Sequence, residues 1–109
     1  MSQFDVYQNT GKNRSIIPYV VVVQSTHFEK ARRRVVVPLV SWDELNKATT
    51  LPSSAINPAF IVEGAKVVLN PLEIVSIPTE SLGGKVGSLA EKSDVIIAAL
   101  DELFSRAWS

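Results

Sequence analysis

The two valine-rich runs, YVVVV at Tyr19–Val23 and VVVPL at Val35–Leu39, constrain this chain most. Branching at Cβ restricts χ1 and suits a pleated strand better than a helix. The runs are continuous rather than alternating, so Val20 to Val23 are expected in a strand covered on both faces. Pro38 is expected near the end of the second strand, where a missing ladder hydrogen bond is tolerable. Upstream, Phe4, Val6 and Tyr7 read as a short opening strand. Asn9, Gly11, Asn13 and Ser15 then supply turn chemistry, which predicts a hairpin into Tyr19–Gln24.

The pattern changes twice more along the chain. Ser41 and Glu44 have capping-box spacing, so SWDELNKA from Ser41 to Ala48 is expected to make a helical turn with Trp42 and Leu45 on one face. Pro52 and Pro58 bracket a loop. Phe60–Val62 and Lys66–Leu69 are expected as a small excursion hairpin around Glu63, Gly64 and Ala65, with Leu72–Ile77 as a further strand. Leu82, Gly83 and Gly84 are expected to loosen the chain ahead of a helix, for which Ser88 and Glu91 offer a second capping box. Leu89, Ile96, Leu100, Leu103 and Ala107 then recur at helical spacing, and Ile97, Leu100, Phe104 and Trp108 fall on one stripe. Strands followed by one terminal helix give an α+β chain.

Composition narrows the function. At 109 residues, 46% hydrophobic and 20% charged, the chain is expected to be one domain, 1–109. So small a core leaves little stability margin, which favours pairing with a second copy. Eleven basic and eleven acidic residues cancel, which disfavours a direct grip on nucleic acid. Arg32 to Arg34 are read as a solvated strand entrance. The absence of cysteine suits a reducing compartment, and neither a secretory leader nor a membrane-length apolar run is seen, so a cytoplasmic protein is expected. His27 is the one histidine, in the polar stretch THFEK, and reads as a surface residue. Asp43 with Glu44 and Asp101 with Glu102 are adjacent, so neither pair shares a helical face as an acid and base would. The expectation from the residues is a protein that works by binding, not an enzyme, with no cofactor and no metal.

The ordered set QFDVY, VVVQS, RRRVVVPL, IVSIP and SDVIIAALDELF resembles the CcdB family of toxins from bacterial toxin–antitoxin modules. The resemblance covers nearly the whole chain and is weakest from Leu51 to Val67. It implies an SH3-like antiparallel β-barrel with a small protruding β-sheet and a C-terminal α-helix near a homodimer axis. It further implies a toxin that wedges into the DNA gate of gyrase, contacts its A subunit and traps the cleaved-DNA complex. The implied antitoxin has a disordered tail that folds on the toxin, and the complex represses its own operon, so DNA is met only indirectly.

The resemblance implies gyrase contacts from the last three residues, which in the family's best-known member are Trp-Gly-Ile directly after the helix phenylalanine. With Phe104 in that place, Ser105, Arg106 and Ala107 follow instead, and a tryptophan comes later, at Trp108. The resemblance therefore implies Asp101, Phe104 and Trp108 as gyrase-binding residues, with Asp101 replacing an asparagine and so offering only acceptors. It implies His27, Phe28 and Phe104 as antitoxin-binding residues. A diverged, non-toxic relative that keeps the antitoxin is the first alternative. An endoribonuclease toxin of the PemK and MazF type, which shares the barrel, is the second and is ranked last. RRRVVVPLVS resembles the strand those enzymes use, but the surrounding sequence lacks their active-site loop.

Overall fold

The computed structural model describes residues 2–28, 30–48 and 56–105. It is an α+β fold built on one curled antiparallel sheet, with a C-terminal helix. The strands are β1 (Asp5–Asn9), β2 (Tyr19–Val22), β3 (Arg33–Ser41), β4 (Ala59–Val62), β5 (Ala65–Leu69), β6 (Val75–Pro78) and β7 (Leu82–Ser88). Their order is β4-β5-β3-β2-β1-β7, with β6 paired to the first half of β3. Helix α1 spans Trp42–Ala48 and α2 spans Ser93–Ser105.

The expected hairpin forms, with Val6 opposite Val21 and Tyr7 opposite Val20. Val20, Val21 and Val22 are all buried, because one face joins the main core and the other a second cluster. Val21 packs with Phe4, Val6, Val37, Leu39, Leu69, Ile96 and Ala99, while Val20 and Val22 pack with Tyr7 and Val36. Covering both faces is what a continuous valine run requires. Phe4, at φ 71°, sits in the left-handed region that costs an L-residue roughly 1–2 kcal/mol. Its buried ring and the bonds Phe4 N–H to Val22 O and Leu89 N–H to Phe4 O hold it there.

Pro38 differs from the expectation. It lies inside the nine-residue β3, the strand paired on both sides, not at its end. One edge of β3 passes from β6, last paired at Val36, to β5, first paired at Leu39. The Pro38 carbonyl accepts from Asn70 N–H at 3.0 Å, so its nitrogen faces this changeover, where no ladder donor is needed. Arg34 also differs, being buried rather than solvated. Its Nη1 donates to the carbonyls of Ala31 and Arg33, satisfying the charge within the turn that launches β3.

The glycines ahead of the helix do not loosen the chain; they lie in β7, paired to β1. Between Asn9↔Leu82 and Tyr7↔Lys85, two residues of β7 oppose one of β1, a bulge that increases local twist and helps curl the sheet. A Cβ on Gly83 would lie 2.7 Å from the carbonyl oxygen of Gln8, whereas one on Gly87 would meet nothing within 4 Å. Gly83→Ala is therefore expected to cost about 1–3 kcal/mol in urea denaturation, the scale of overpacking. Gly87→Ala should stay within about 0.5 kcal/mol. Equal costs would contradict the close approach.

The hairpin β4–β5 turns at Glu63 and Gly64, both at positive φ (51° and 79°), the two-residue geometry that matches strand twist. It is ladder-bonded to the end of β3 and sends Phe60, Val62, Val67 and Leu69 into the main core. The segment expected as a strand from Leu72 begins instead as a 3-10 turn, Pro71–Glu73, before β6. Ser41 Oγ accepts from Glu44 N–H at 3.5 Å at the start of α1, as the first capping signature predicts. The second works differently. Ser88 Oγ accepts from Ala90 N–H at 3.1 Å to start a 3-10 turn at Ala90–Lys92, and α2 begins only at Ser93. The loop between Pro52 and Pro58 lies largely outside the described residues. No helix among the described residues is long and apolar enough to cross a membrane.

Candidate functional site: the outer face of the terminal helix

Helix α2 divides its side chains unequally between core and solvent. Ile96 and Ala99 are fully buried, with Leu100 packed against the same cluster. Ile97, Asp101 and Phe104, spaced by four and then three, occupy the adjoining stripe and are all exposed. Phe104 is 68% exposed and Ile97 45%. A phenylalanine that exposed contributes nothing to the core, and two large apolar residues around a carboxylate make a surface suited to a protein partner. Trp108, expected on the same stripe, lies outside the described residues.

His27 and Phe28 lie on a different element, the 3-10 turn Thr26–Phe28 after β2. Their rings meet edge to face, with centroids 5.3 Å apart at 83°. Phe28 is 59% exposed, yet the backbone beneath it is well tied. Gln24 Nε2 donates to Phe28 O at 2.9 Å while Gln24 Oε1 accepts from Val35 N–H at 3.0 Å, so one side chain links the turn to β3. Phe28 N–H also donates to Ser25 O. The structure thus joins the expected residues in two sets, His27 with Phe28 and Asp101 with Phe104.

Sequence reasoning missed a polar cleft of about 250 Å³ lined by Gln8, Asn9, Arg14, Pro18 and Tyr19. Asn9 shapes its wall, with Nδ2 donating to Ile17 O at 2.8 Å and to Asn13 Oδ1 at 3.1 Å while Oδ1 accepts from Gly11 N–H at 2.9 Å. Arg14 Nη1 reaches Gly11 O at 3.3 Å. At the other side Tyr19 Oη donates to Glu63 Oε1 at 2.7 Å across 44 positions of sequence. No spacing rule could have paired residues so far apart. No three His, Asp or Glu side chains among the described residues converge as metal ligands would.

Two phenols hold their protons more tightly than an ordinary tyrosine. Burial does so for Tyr7, with the nearby Asp5 carboxylate adding to it. For Tyr19 the hydrogen bond to Glu63 is the main cause, with burial second. A raised folded-state value stabilises the fold fully below the unfolded value, about pH 10, and that contribution is lost as pH rises through the folded value. Unfolding free energy is expected to fall above about pH 10 and to fall less steeply in a Tyr7→Phe, Tyr19→Phe double variant. An identical alkaline fall in both proteins would contradict this.

Comparison with known proteins agrees with the fold. The structure matches an endoribonuclease in complex with its cognate antitoxin from a mycobacterial species, at TM-score 0.73 and 16% identity, covering 100% of this chain and 99% of that one. It matches an endoribonuclease from a mycobacterial species at TM-score 0.72 and 16% identity, covering 100% and 95%. No curated protein matches the sequence. These neighbours correct the expectation that the chain is not an enzyme, since proteins of this fold carry out RNA cleavage. The physical reason is that general acid–base chemistry can use tyrosine, glutamate and similar groups, so a shortage of histidine and cysteine excluded less than it seemed to. The family model of the CcdB protein matches residues 3–105, nearly the whole chain and every strand and helix described above. On that match, the chain belongs to the CcdB family of toxin–antitoxin toxins.

Proposed function

We propose that this chain is the toxin of a type II module and that its target is DNA gyrase, engaged at the A subunit by the exposed stripe of α2 so that the cleaved-DNA complex is trapped. The observation that carries this reading is Phe104, a large apolar ring left 68% exposed at the end of the helix, the position that the sequence resemblance implies for gyrase contact. Burying it on a partner would recover roughly 1.5–3 kcal/mol. Asp101 adds an acceptor one turn earlier, and Trp108 is proposed as a further gyrase-binding residue. The cognate antitoxin is proposed to cover His27, Phe28 and Phe104, which would keep the stripe from the target. A homodimer in the cytoplasm, repressing its operon only within the antitoxin complex, completes this reading.

A second reading is favoured by the full-length likeness to endoribonucleases. In it, the cleft of Gln8, Asn9, Arg14 and Tyr19 would hold RNA, with Arg14 near a phosphate and the Tyr19–Glu63 pair supplying proton transfer. The two are separated by one paired experiment. Purified protein is incubated with gyrase and supercoiled DNA, and separately with a structured messenger RNA. The gyrase reading expects trapped linear DNA with the full chain, reduced in a variant lacking Trp108 and Ser109, and intact RNA. The second reading expects RNA fragments that disappear in Arg14→Ala and Tyr19→Phe.

A further inference from the structure

One sheet edge carries a site that the helix stripe does not explain. Leu69 N–H donates to Pro58 O at 2.9 Å, which fixes the alternation along the β4–β5 ladder. Pro58, Phe60 and Val62 bond inward, so the backbone N–H and C=O of Ala59 and Ile61 face outward. Strand β4 ends the sheet, and no strand among the described residues pairs with that edge. A groove of about 480 Å³ runs beside it, bordered by Phe60, Ile61, Lys66, Leu89, Lys92 and Val95. Phe60 and Ile61 point to opposite faces of the strand, so a groove touching both lies along its outer edge. Ile61 is 65% exposed.

The charges on this groove have one sign. Lys92 stands at the rim where the chain enters α2, and Lys66 lies opposite Ile61 with its Nζ 3.9 Å from the centre of the Trp42 ring. Among the described residues no carboxylate is ion-paired with either lysine, whereas Lys85 pairs with Asp5 at 3.3 Å. A second copy docked edge to edge would bring four ammonium groups onto one apolar seam, which like-charge repulsion disfavours. An acidic strand would neutralise them.

We propose that the outer edge of β4 binds an extended peptide from a partner chain that alternates apolar with acidic residues, adding as a strand to the sheet. Its backbone bonds to Ala59 and Ile61, alternate apolar side chains enter the groove beside Ile61, Leu89 and Val95, and its carboxylates meet Lys66 and Lys92. Twelve residues of helix separate Lys92 from Phe104, roughly 18 Å, so this site can be filled independently of the stripe assigned to gyrase.

The test uses the whole protein and two blocked heptapeptides, one alternating glutamate with valine and one alternating lysine with valine, followed by backbone amide NMR. The glutamate peptide is expected to shift the amides of Ala59–Val62 and Leu89–Val95, and raising the salt should weaken it. Lys66→Glu with Lys92→Glu should weaken it by about tenfold or more. Ile61→Pro, which removes an outward N–H and spares the β4–β5 bonds, should also block it. Equal binding of the two peptides, shifts confined to other residues, or no shift at saturating peptide would overturn the proposal. So would shifts of the same amides on raising protein concentration alone, since a second copy would then be the occupant.

Discussion

Truncating Ile96 to alanine is expected to cost about 2–5 kcal/mol, the range for emptying a fully buried aliphatic site. The same truncation at Phe104, about two turns further along the helix, should leave stability within roughly 0.5 kcal/mol. Both residues are large and apolar on one thirteen-residue helix, yet Ile96 is fully buried while Phe104 is 68% exposed. Ile96 sits among Val21, Val37, Leu39, Leu69 and Ala99, contributed by three strands and its own helix, so removing it leaves a cavity that no single element can close. Urea midpoints at unchanged slope would measure the difference. Comparable losses at the two positions would mean that Phe104 serves the core and would remove the basis for reading it as a contact residue.

The second expected result concerns function. Phe104→Ala should fold normally and reduce growth arrest and gyrase trapping by a hundredfold or more, on the scale of about 3 kcal/mol for an aromatic anchor at the centre of an interface. Ile97→Ala should weaken them less, because a smaller and less exposed side chain has less surface to give a partner. Asp101→Asn returns a donor to that position and tests whether the acceptor-only carboxylate matters. A Phe104→Ala protein as toxic as the parent would move the target surface elsewhere, with the polar cleft the first place to look.

Much of the fold was legible in the sequence because local rules and tertiary context agree there. The valine run at Val20–Val22 is buried on both faces as its continuity required, and the hairpin turns around Glu63 and Gly64 as expected, with Gly64 in the left-handed region that glycine adopts freely. The misread positions are those where a distant neighbour decides. Gly83 looked like a loosening residue, but the approach of Gln8, seventy-five positions earlier, makes it a packing requirement. Arg34 looked solvated until its guanidinium was seen to satisfy two carbonyls of its own turn. Pro38 looked terminal because nothing in VVVPL announces that one strand edge changes partner there.

The site divides in the same way. Helical spacing alone placed Ile97 and Phe104 on one stripe with Leu100, but not which part of that stripe faces the core. The structure packs a half-buried Leu100 against the cluster and leaves the other two exposed. The loop residues His27 and Phe28 came from the resemblance, and the structure adds how the turn that carries them is held, through the Gln24 clasp on the Phe28 backbone. The Tyr19–Glu63 pair and the groove along β4 were invisible in sequence, since each is assembled from residues more than twenty positions apart.

The most direct test of the central claim is the gyrase cleavage assay with the purified protein and gyrase from the same source, read as linear DNA released after denaturing the enzyme. The account predicts linear DNA that rises with protein concentration and is lost in Phe104→Ala, at a concentration where circular dichroism shows both proteins folded. No linear DNA from the folded parent protein, with fragments appearing in the parallel RNA digest, would contradict it.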